Sequence, residues 1–87
     1  MQQTKTTKVP TNSQAIADMM KMSVDEVRNF PFIQDIKDIL RDYNFGVVNK
    51  KDVEDKLIYI SLKCAEKEIY YFSTGVEKLL QHIKVRY

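Results

Sequence analysis

The sequence predicts an α+β fold, a small winged-helix-like domain in which three N-terminal helices, two of them forming a helix-turn-helix, precede a β-hairpin and a C-terminal helix. Three observations carry that expectation. Apolar residues between Ala15 and Phe30 keep helical spacing around two helix-start signals. Between Ile33 and Tyr43 they recur at intervals of three and four. Between Lys56 and Phe72 they gather into two short runs rich in β-branched and aromatic residues.

Residues 1–10 are mostly Gln, Thr and Lys, too polar to offset the entropy of ordering, and are expected to form a flexible arm. Residues 11–87 hold one domain, because a chain of 87 residues has material for a single core. The first helix starts at Thr11, Asn12 or Ser13, with Thr11 and Gln14 fitting a capping box, and buries Ile16, Ala17 and Met20. Ser23 and Glu26 form a second box that opens a short helix, which Pro31 ends at Asn29 or Phe30. Ile33, Ile36, Ile39, Leu40 and Tyr43 then line one face of the third helix, and Asn44 and Gly46 supply its left-handed stop. Val47 to Lys56 is expected to be a connection. Leu57 to Leu62 and Ile69 to Phe72 are the hairpin strands, joined through Ala65, Glu66, Lys67 and Glu68. Thr74 and Glu77 resemble a last capping box, ahead of a stripe of Val76, Leu79, Leu80 and Ile83.

Several chemistries are excluded by residue type. Cys64 and His82 are the only residues of their kinds, so neither a disulfide framework nor a structural zinc site is available. Cys64 reads as an inert thiol, half-buried at a strand end. There is no glycine-rich phosphate loop and no paired nucleophile and base, and the chain is expected to be neither an enzyme nor a cofactor carrier. No apolar run approaches the roughly 18 residues of a membrane span, and the N-terminus lacks an apolar signal core, which points to the cytoplasm. Fourteen Lys and Arg against twelve Asp and Glu give a net charge of +2, which neither requires nor forbids nucleic acid. Lys5 and Lys8 near one end, with Lys78, Lys84 and Arg86 near the other, form a modest basic face if the ends meet.

The segment with functional content is AIADMMKMSVDEVRNF. In a helix-turn-helix, two short helices meet steeply, so a small residue is needed at their contact and apolar residues around it. Ile16, Ala17, Met20, Met22, Val27 and Phe30 fill those positions. The segment resembles the "IAxxLGVSxxTVxR" core of bacterial and phage regulators, with Lys21 where those carry a turn glycine. Over a longer span, NSQAIADMM, FIQDIKDIL and EIYYFSTGVEKLL resemble phage regulatory proteins of the Rha type, although Ser23 and Val24 replace the basic pair of that family. The resemblance implies a regulatory gene of a phage in a bacterial host.

Two functions follow as expectations. The first is a phage or mobile-element regulator that binds duplex DNA as a homodimer. Arg28 and Asn29 would read base edges beside Val24, and Lys21, Lys5 and Lys8 would touch phosphate. The second is an inhibitor or adaptor that binds a host or phage protein through Met19, Asp25, Glu26 and the hairpin with Tyr70. Met19 is expected to be exposed in either case. Tyr59, Tyr70 and Tyr71 are read as cross-strand packing or, alternatively, as a base-stacking platform.

Overall fold

Three of the helices among the described residues, the first, second and fourth in chain order, open on a side-chain cap. In the computed structural model, which describes residues 8–87, five helices run in the order α1 (Ser13–Met20), α2 (Val24–Arg28), α3 (Ile33–Asn44), α4 (Lys50–Glu66) and α5 (Tyr70–Arg86). Asn12, and not Thr11, caps α1, its side-chain oxygen accepting from the Ala15 N–H at 2.8 Å. Ser23 and Glu26 form the expected reciprocal box at α2, with the Glu26 N–H donating to Ser23 Oγ at 3.2 Å and the Ser23 N–H to Glu26 Oε1 at 3.1 Å. Asn49 and Asp52 form a further box that opens α4.

Three helices end in the same turn. After α1 the Lys21 N–H donates to the Asp18 carbonyl and the Met22 N–H to the Ala17 carbonyl; after α3, Gly46 and Val47 bond Tyr43 and Asp42; after α4, Glu68 and Ile69 bond Ala65 and Cys64. These are Schellman motifs, and each places one residue in the left-handed region, with φ of 60° at Lys21, 78° at Gly46 and 62° at Glu68. Only one of the three positions is a glycine. The other two hold a side chain where a left-handed backbone costs on the order of 1 kcal/mol.

No strand forms among the described residues, which corrects the α+β, winged-helix-like expectation. Leu57 to Leu62 lies inside α4, and Ile69 to Phe72 spans the N-cap and first turn of α5. The residues between them make the turn of an antiparallel αα-hairpin, not of a β-hairpin. Thr74 is the fifth residue of α5, so it caps nothing. Residues 50–56, expected as a connection, are the start of α4.

The core lies where α1, α2, α3 and the α4–α5 hairpin converge. Ile16, Met20, Val27, Phe30, Ile36, Leu40, Leu57, Ile60, Leu79 and Ile83 are all closed to solvent. Burial of each large aliphatic side chain stabilises the fold by about 1.5–3 kcal/mol. Phe30 stacks on Phe72 with ring centroids 4.6 Å apart, which ties the end of α2 to α5. Where α4 crosses α5, small residues permit close approach, and the buried hydroxyls of Ser61 and Ser73 lie 3.1 Å apart.

The two ends of the described chain meet at the end of α3. The Asn44 side chain accepts from the Val9 N–H at 2.7 Å and donates to the Val9 carbonyl at 2.8 Å. Beside it the Tyr43 hydroxyl donates to the Tyr87 carbonyl at 2.9 Å. Val9, inside the segment expected as an arm, is buried in the core cluster. Lys5 lies outside the described residues.

Candidate functional site

The α1–α2 pair buries most of the apolar positions that the sequence assigns to its core. Ile16, Ala17, Met20, Val27 and Phe30 are buried, Met22 is half-buried, and Lys21 occupies the left-handed turn with its side chain in solvent. The α2 helix has five residues, little more than one turn. It leaves Asp25, Arg28 and Asn29 exposed and Val24 half-buried.

The polar groups on that surface are largely engaged within it. Arg28 Nη1 stands 3.6 Å from Asp25 Oδ1, with both side chains more than half exposed. Such a pair contributes little and is easily exchanged for another anion. The Asn29 amide donates to the Asp25 carbonyl at 3.0 Å, so its donor closes the end of its own helix and does not face outward freely. Glu26 accepts from Ser23 and from the Tyr71 hydroxyl. These bonds hold its carboxyl below the usual range, the Ser23 backbone N–H contributing most, followed by Tyr71. The same contact raises the Tyr71 phenol, which gives up a hydrogen bond on losing its proton.

The remaining expected residues are spread over the surface. Lys8 lies over the Phe45 ring at 5.6 Å, at the end of α3. Tyr70 is exposed in the first turn of α5 and Tyr59 is exposed on α4 between Lys56 and Lys63, so the tyrosines share no sheet and form neither a platform nor cross-strand pairs. Met19 is a correction: it is 7% exposed, because α5 packs against that side of α1. Cys64 is another, being fully buried within α4, not half-buried at a strand end, and burial pushes its thiol up.

Sequence reasoning missed a groove of about 740 Å³ between the end of α1 and α5. Val85 is its exposed apolar side chain, the almost fully buried Met19 also borders it, and Lys21, Lys78 and Arg86 stand around it with Glu77. Thr74, Lys78, Gln81 and Val85 fall on one face of α5, a segment the sequence already reads as helical from Thr74, but nothing in the sequence sets that face against α1. A smaller groove of about 380 Å³ lies on the other flank of α5, where Ile58, Leu62 and Leu80 meet Ser61.

Among the described residues no group of His, Cys, Asp or Glu is placed to hold a metal ion, and no helix is long and apolar enough to cross a membrane. No protein-family model, curated protein or solved structure matches the chain. The class defined by the fold is an all-helical domain of five helices among the described residues, the last two forming a helical hairpin.

Proposed function

We propose that this chain is a small regulator, of the phage type its sequence resembles, that binds duplex DNA as a dimer through the α1–α2 unit. The observation that supports it is the packing of that unit: its apolar positions are spent on the core, while Lys21 and Arg28 remain in solvent on adjoining parts of the turn and second helix. Arg28 reads a guanine edge after exchanging its weak Asp25 partner, and Lys21 and Lys8 contact phosphate. Base reading falls mainly to Arg28, since the Asn29 amide already has a partner. A dimer is needed because one short helix in a +2 chain makes too few contacts for specific affinity.

A salt titration with random-sequence duplex DNA tests this. Binding should be measurable at about 50 mM salt and weaken steeply as salt rises. No binding at that salt rules out the regulator. With a duplex selected from a random pool, Arg28→Ala should cost about 1–3 kcal/mol of specific binding. A second reading, an inhibitor or adaptor that binds a protein, is favoured by the acidic residues Asp25 and Glu26 on α2, which repel a phosphate wall. Under it, Arg28→Ala leaves DNA behaviour unchanged because there is none to lose.

A further inference from the structure

We infer that the groove between α1 and α5 is a docking site for an acidic amphipathic helix of a partner protein, a surface that shares only Lys21 with the proposed DNA contact. Its shape and its charge point to the same occupant. The apolar part, Val85 with the almost fully buried Met19 beside it, is bordered by three cations, Lys21, Lys78 and Arg86, against one carboxylate, Glu77. Among the described residues the ion pairs are Arg28–Asp25, Arg41–Asp38, Lys51–Asp55 and Lys63–Glu66, so none of the three bordering cations has an acidic partner. Glu77 instead accepts from the Ser61 hydroxyl at 3.4 Å.

Unpaired cations around an apolar trough complement a helix with leucine-like residues along one stripe and carboxylates on its flanks. The length also fits. From Thr74 to Arg86 the wall advances on the order of 18 Å, about three turns of a helix lying alongside. Val85, 78% exposed on the last turn of α5, is the side chain such a helix would cover most completely. A nucleic-acid backbone would use the cations and leave the apolar trough unfilled.

The test uses the full chain with isotope-labelled methionine and valine methyls and a synthetic amphipathic peptide of about twelve residues, leucine on one stripe and glutamate on its flanks. A scrambled peptide of the same composition and a short duplex DNA are the comparisons. The amphipathic peptide should shift the Met19 and Val85 methyls and bind at least tenfold more tightly than the scrambled one. The double variant Lys78→Glu with Arg86→Glu should lose that binding by tenfold or more, and Val85→Asn should do so without changing net charge at the border. Equal binding of both peptides, shifts confined to other surfaces, or shifts of the Val85 methyls by DNA alone would each overturn the docking site. Because Val85 lies outside the α2 surface and its neutral variant leaves the net charge unchanged, that variant keeps DNA binding through Arg28 as it was, which separates the two outcomes.

Discussion

The Tyr71 hydroxyl donates to Glu26 Oε1 across 2.9 Å, joining the first turn of α5 to the capping box of α2. One carboxylate thus closes the N-terminus of α2 and fastens that helix to the hairpin. Both contacts favour its ionised form, so the folded pKa lies below the unfolded one. The stability from this group is complete above the unfolded pKa and is lost as pH falls through the lowered folded value. Wild type should therefore exceed Glu26→Gln in urea midpoint at about pH 7, and the difference should vanish in acid below that folded value. Tyr71→Phe should raise the Glu26 pKa toward its ordinary range in a carbon-detected NMR titration; an unchanged Glu26 titration would mean that the contact does not form in solution.

Neighbouring side chains on α4 have opposite fates, and that gives a direct test of the hairpin. Leu57 and Ile60 are buried, whereas Ile58, Tyr59 and Leu62 are exposed. Leu57→Ala should cost about 2–5 kcal/mol in chemical denaturation. Ile58→Ala should cost less than about 1 kcal/mol. A two-residue alternation of cost, with Tyr59 as sensitive as Leu57, would instead point to a strand.

The same residues explain what the sequence made legible. The buried set Val53, Leu57, Ile60 and Cys64 has spacings of four, three and four, and Ile69, Phe72, Val76, Leu79 and Ile83 continue the pattern along α5. That helical period is present in the sequence but is overlaid by exposed Ile58, Tyr59, Leu62, Tyr70 and Tyr71, which fill the gaps and turn each segment into a β-like run. The Asn49–Asp52 box was an available start signal for α4. In α1 to α3 few exposed apolar residues blur the pattern, and the Ser23 cap, the stop before Pro31 and the Gly46 turn all fall where the sequence puts them. The surface of α2 was legible as a list of residues, but the Asn29 and Glu26 bonds that occupy it were not, because Tyr71 is 45 positions away from Glu26 and Asn29 turns back on its own helix. The burial of Met19 is not legible because it depends on α5, a segment distant in the chain whose packing against α1 helical spacing alone does not show.

Gly75 sits where α5 passes under the end of α1. A methyl group added there would stand 2.8 Å from Met22 Sδ and 3.1 Å from Met20 Cε. Met20 is held in the core and Met22 is half-buried, so the thioether of Met22 is the group able to move. Gly75→Val should cost about 1–3 kcal/mol through overpacking. Gly75→Ala should cost less than Val, because displacement of Met22 is partly offset by about 1 kcal/mol of helix propensity. The measurement is urea denaturation with helix content followed by circular dichroism; a more stable Val variant would show that α1 and α5 do not approach this closely.

Lys21 and Glu68 are the matched pair for separating stability from DNA binding. Both hold left-handed positions in Schellman turns, at φ of 60° and 62°, and both are exposed. Replacing either by glycine removes the Cβ penalty, less the greater freedom glycine gives the unfolded chain, so each variant should gain up to about 1 kcal/mol. Only Lys21 belongs to the proposed DNA contact. Lys21→Gly should thus unfold at higher urea yet bind random duplex DNA more weakly, with the slope of log K against log salt reduced by about one phosphate contact. Glu68→Gly should show the stability gain while keeping the slope. If the Lys21 variant keeps the full slope, its ammonium contacts no phosphate; if it loses stability while Glu68→Gly gains it, the α1–α2 turn is held by something other than its Schellman bonds.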